Sequence, residues 1–102
     1  MSDINSLHRA LVDRVLNGEG RATASMRRAA FDNEGLDGPL RDLVDKVAYH
    51  ADQVTDEDVA SVRTSGLSED QIFELVVCAA VGQATRQFES ALTALDAALA
   101  AG

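Results

Sequence analysis

The chain has one cysteine, one proline, no tryptophan and 4% aromatic residues, and among 102 residues only 9 are Lys or Arg against 17 Asp or Glu. Each scarcity excludes something. A lone cysteine cannot form an intramolecular disulfide, a Cys-x-x-Cys redox pair or a thiolate-rich zinc site. It also fits a reducing compartment, so a cytoplasmic location is expected. At a formal net charge of −8 the chain lacks the basic footprint that neutralises nucleic-acid phosphates or anionic lipids, and neither is an expected partner. No apolar run is long enough to cross a bilayer. The stretch Met1-Ser-Asp-Ile-Asn-Ser-Leu-His8 has neither the basic region nor the apolar core of a secretory signal. The two histidines and scattered acids show no metal-ligand spacing such as His-Glu-x-x-His, and there is no glycine-rich phosphate loop or nucleophile elbow. Neither metal nor cofactor is expected. This length builds one modest core, hence a single domain over residues 1–102.

What is present is helical periodicity, with no sustained alternation of the kind a strand shows, so the expected fold is all-α, with about five helices and a long C-terminal one. About Asp3 to Asn17, residues Ile4, Leu7, Leu11 and Val15 fall at spacings of three and four, and Asn17-Gly18 supplies a stop. A second helix, about Ala22 to Asn33, sets Met26, Ala29, Ala30 and Phe31 opposite Arg27 and Arg28. Two glycines and Pro39 then break the chain, and Pro39 suits the first turn of a third helix, about Gly38 to Gln53. Its apolar face is Leu40, Leu43, Val44, Val47 and Ala51. Thr55 reads as the N-cap of a short fourth helix with Asp56, Glu57 and Asp58 in its first turn, closing at Ser65-Gly66. Ser68-Glu-Asp-Gln71 is a capping box and opens a helix that runs to about Ala100.

Charge is uneven along the chain. Residues 1–31 are net +2, and residues 32–74, with twelve acids against Arg41, Lys46 and Arg63, are net −9. The basic third either packs on the acidic middle or both stay solvated. Between Leu75 and Thr85 there is no charge, which implies burial on most sides. From Val77 on, Val81, Ala84, Phe88, Ala91, Leu95 and Ala98 trace a coiled-coil-like seam of small and apolar residues. That seam takes either a neighbouring subunit or the chain's own first helix.

Few residues suggest chemistry. Cys78 sits in an apolar run with no cation near it in sequence, which reads as structural core. His8 is expected at the surface or a subunit contact. His50, near the end of the third helix and beside Tyr49, is either a capping imidazole or a general base with Asp58 or Glu57 as carboxylate partner. Arg86, the only charge between Glu74 and Glu89, pairs with an acid, snorkels, or grips a substrate carboxylate. The candidate catalytic residues are therefore His50, Asp58 and Glu57, and the candidate substrate-binding residues are Arg86 and Tyr49.

From Leu40 to Leu95 the chain resembles the alkylhydroperoxidase D-like, carboxymuconolactone decarboxylase superfamily. The stretch that carries the likeness runs from Val54 through Thr55-Asp-Glu-Asp58, Gly66 and the Ser68 capping box to Ile72-Phe-Glu74, with Val77-Cys-Ala-Ala-Val81 following. The resemblance implies the helical fold and assembly into trimers or hexamers. Peroxidase members carry Cys-x-x-Cys followed by histidine, and in that register the positions fall at about Ala51, Val54 and Asp58, so their dithiol chemistry does not carry over. The resemblance leaves three expectations. One is a non-redox, oligomeric small-molecule-binding or accessory protein. Another is a cofactor-free lyase or isomerase acting on a small carboxylated substrate. The third is a partner subunit that supplies helices to a catalytic homologue.

Overall fold

The computed structural model describes residues 2–101, and the side chains of residues 5–101. It is all-α, with five helices among these residues: α1 (Ser2–Asn17), α2 (Ala24–Asp32), α3 (Gly38–Tyr49), α4 (Asp56–Thr64) and α5 (Glu69–Ala101). No helix is long and apolar enough among them to cross a membrane.

Local chemistry sets most boundaries. At α2 the Thr23 hydroxyl accepts from the Met26 amide at 3.1 Å, so the helix begins two residues later than its periodicity suggests. It ends at Asn33, whose left-handed backbone (φ 53°, ψ 45°) turns its amide back to Ala29 and Ala30, a conformation asparagine tolerates better than most residues. Helix α3 carries Pro39 in its first turn. It stops at Tyr49 rather than Gln53, because His50 leaves helical geometry (φ −146°, ψ 53°) and Ala51–Gln53 form a single 3₁₀ turn. Ala51 is consequently exposed and takes no part in the α3 apolar face. At α4 Thr55 and Asp58 complete a reciprocal capping box. Ser68 and Gln71 complete another before α5, with amide to side-chain distances of 2.9 and 3.2 Å.

Helix α5 is the spine. Its N-terminal half supplies Ile72, Leu75, Cys78 and Ala79 to a core completed by Ala30 and Phe31 of α2, Leu40, Leu43 and Val44 of α3, and Val62 of α4. At 33 residues and about 1.5 Å per residue it accounts for most of the 54 Å long axis. Its seat on α2 is tight. A Cβ on Gly82 would lie 2.7 Å from the Phe31 carbonyl carbon and closer still to its oxygen, so only glycine permits this approach of the two backbones.

Over the uncharged stretch from Leu75 to Thr85 every residue but Ala80 and Ala84 is buried or half-buried, as the absence of charge implies. Two expectations change here. Arg27 is not on a polar face but is 8% exposed. Its Nη1 donates to the Gly18 carbonyl at 2.7 Å, capping the end of α1. In α1 the expected stripe is only partly the buried one. Leu7 and Leu11 are 72% and 47% exposed, while Val12, Val15 and Leu16 meet the core; the side chain of Ile4 lies outside the described ones. The His8 Nε2 sits 3.0 Å from the Thr85 hydroxyl, with its ring 5.2 Å from that of Phe88. His8 is thus an internal contact between helices, on the same side of α1 as the residues that meet the core.

Candidate functional site

The residues singled out by sequence lie in two places. At the junction of α3 and α4, Lys46 donates to both oxygens of Asp58 at 3.1 and 2.9 Å, and the Thr55 amide donates to the same carboxylate at 2.9 Å. The Lys46 ammonium, then the Thr55 amide, hold the Asp58 carboxyl below its ordinary value. A group in that state is a poor proton donor near neutrality, and its oxygens are committed to a cap and an ion pair. Glu57 and His50 are exposed nearby. The His50 backbone amide donates to the Lys46 carbonyl at 2.7 Å, closing α3. Replacing Thr55 by alanine is expected to cost about 1 kcal/mol of stability, the usual worth of such a cap. Urea unfolding of the variant at neutral pH measures it.

At the second place, Arg86 reaches across from α5 and donates to the Phe31 carbonyl at 2.6 Å. That carbonyl is in the last turn of α2, where intrahelical donors run out and positive charge is favoured. Its Nε and Nη2 are bridged to the Gln83 side chain at 3.3 and 3.0 Å. The isolated charge in an apolar helix is therefore accounted for as a cap on a neighbouring helix. Tyr49 and Arg86 do line one open depression, together with Gln83, Gln87 and Ser90. Of the five candidate residues these two are brought together around one hollow, and Asp58 is engaged elsewhere.

Sequence reasoning missed a partly buried polar cluster between α1, α2 and α5. The Glu74 carboxylate accepts from the Arg21 amide at 2.7 and 2.9 Å and from the Ala22 amide at 2.6 Å. Burial pushes its pKa up, but those two amides and the charges of Arg27 and Arg21 outweigh it, and the net shift is downward. Beside it, burial pushes the Cys78 thiol up, only partly offset by Arg27, and the thiol donates to the Val15 carbonyl at 3.2 Å. The Arg27 Nε is buried and finds no partner among the described residues. A Glu four residues before Cys78 on the helix was the available sequence signal. Nothing in the spacing indicated that its partners would be amides some fifty residues earlier. Among the described residues no group of three or more His, Cys, Asp or Glu is placed to hold a metal ion.

A further surface feature is apolar. Five of the six large exposed hydrophobic residues, Leu7, Leu11, Phe73, Leu95 and Leu99, belong to α1 and α5. The two helices run antiparallel, because Cys78 meets Val15 and Thr85 meets His8. Helix α2 covers the pair from the side on which Arg9 and Asp13 face Arg28 and Phe31. At about 100° per residue Leu7 and Leu11 point the other way. The seam positions Val77, Val81, Ala84, Phe88, Ala91 and Leu95 likewise turn away from Gly82. Between Glu89 and Ala101 only Leu92 is even half-buried; the rest of this end of α5 is exposed. Comparison with family models, with curated proteins and with solved structures finds no match for the chain.

Proposed function

We propose that the chain is a non-redox protein on a scaffold of the alkylhydroperoxidase D-like kind, self-associating and serving as a small-molecule-binding or accessory module rather than as a thiol peroxidase. The observation that carries this reading is the state of Cys78. It is the only thiol in the sequence, 1% exposed, with its pKa raised and its S–H given to a backbone carbonyl. A peroxidatic thiol needs a stabilised thiolate and access to its oxidant, and a resolving thiol to complete the cycle. This one has none of the three. Assembly into trimers or hexamers belongs to the same reading; the exposed apolar face of α1 and α5 supports self-association as such, without favouring a subunit number.

Two measurements test it. In the native protein Cys78 is expected to react with a bulky aromatic disulfide reagent at least roughly 100-fold more slowly than in denaturant. Hydroperoxide consumption in the presence of a dithiol reductant should not exceed the rate without protein. Rapid labelling of the folded chain together with catalytic peroxide turnover would overturn the reading.

A further inference from the structure

We infer that a second copy of this chain closes the uncharged face of α1 and α5, the projecting end of each α5 lying in the groove between the other copy's α1 and α5 about a two-fold axis near Ala91. The inference deepens the self-association proposed above and does not depend on the absence of dithiol chemistry.

Both halves of the fit exist on one chain. The groove is bordered by Leu7 and Leu11 on α1, both exposed, and by Val81 and Phe88 on α5, both half-buried. The projection carries Leu95 and Leu99, 49% and 70% exposed. Val81 and Leu99 bound this face on α5, and Ala91 lies close to its midpoint. Antiparallel pairing about that point sets Leu95 of the second copy level with Gln87, and Leu99 level with Gln83. The contacts of His8 with Thr85 and of Val15 with Cys78 place Leu7 near the level of Phe88, and Leu11 near Val81. One operation therefore brings each projecting leucine beside one leucine of the other copy's α1. It does so twice, as an isologous contact must. The seam residues between them, Ala84, Ala91 and Ala98, are small enough to let two helices approach closely.

Charge selects the occupant. A chain of net charge −8 repels its own copy over most of its surface, but no seam position from Val77 to Ala98 is charged. Twelve of the 17 acids fall in residues 32–74, before the seam begins at Val77, and a pairing centred on Ala91 keeps them apart. An anionic lipid surface meets the opposite situation, since Glu89 and Asp96 flank the projection. The extent is adequate: about 20 Å of projecting helix laid in a groove twice over covers roughly 600–800 Å² per subunit, near the standard for stable dimers.

Sedimentation equilibrium of the full chain between about 1 and 100 μM tests this, with Leu95→Glu/Leu99→Glu and an equimolar mixture of Leu95→Lys with Leu7→Glu alongside. The wild type is expected to be a dimer or an even multiple of it. The double variant should dissociate at least about 100-fold more readily, as unpaired charges in an apolar seam require. The mixture should associate more tightly than either component alone. Should the double variant fail to fold, hydrogen exchange of the wild type decides: protection of amides 89–101 must rise with protein concentration. A trimer would overturn the two-fold pairing while leaving self-association standing. A monomer at the highest concentration, an unshifted double variant, or concentration-independent protection would also overturn the pairing, and none of these bears on peroxidase activity.

Discussion

Gly82→Ala is expected to lower the stability of the fold by about 3 kcal/mol, although alanine is the better helix former by roughly 1 kcal/mol. The added methyl has no room, because the Phe31 carbonyl occupies its place. The obstacle is backbone and cannot rotate away, so α2 must retreat from α5 along its best-packed contact. Overpacking of this kind costs about 1–3 kcal/mol by itself. The retreat also stretches the bond from Arg86 to the same carbonyl and opens the layer that holds Ala30 and Ala79, both 0% exposed. Urea denaturation monitored by far-UV circular dichroism gives the answer directly. A midpoint shift worth less than about 0.5 kcal/mol, the range of neutral surface substitutions, would show that α2 is not seated on this glycine.

Glu74→Ala should cost about 2–3 kcal/mol at neutral pH, because two backbone amides lose charge-assisted acceptors at once. Acid should reproduce part of the effect in the unmodified chain. The folded pKa of Glu74 lies below its ordinary value of 4.5, so its contribution is complete above that value and disappears as pH falls through the lowered one. Asp58, lowered from 3.8 by Lys46 and the Thr55 amide, acts in the same direction. The gap between wild type and Glu74→Ala in urea should therefore be wide at pH 7 and shrink progressively as the pH is taken below 4.5. A gap of unchanged width across that range would mean that the carboxylate charge is not what holds residues 21 and 22 to α5.

These two positions also show what a linear sequence conveys and what it withholds. Boundaries written in local chemistry were legible: the boxes at Thr55 and Ser68 and the break before Pro39 each act within three or four residues. The all-α class and the length of α5 follow from periodicity in the same way. Arg27 and Arg86 were not legible, because each guanidinium caps a carbonyl of a different helix or turn, Gly18 and Phe31, and only the packed fold decides which carbonyl is in reach. The face of α1 was legible only in part. Val15 meets the core as its spacing implied, but Val12 and Leu16 join it there in place of Leu7 and Leu11, and the longer apolar stripe is left outside. Of the candidate site, sequence grouped His50, Asp58, Glu57, Tyr49 and Arg86 by proximity and residue type. The structure commits Asp58 to Lys46 and Arg86 to α2, and that outcome depends on where α3 ends.

The order of the helices has a consequence for folding. Every other helix packs against α5, yet α5 follows all four in sequence, and its contacts with α2 span some fifty residues. Leu40, Leu43, Val44 and Val62 share a core with Ile72, Leu75, Cys78 and Ala79 of α5, so that core closes only when α5 docks. The folding rate is therefore set by long-range closure rather than by helix formation. Until α5 docks, the half-covered faces of the earlier helices are what a chaperone would meet.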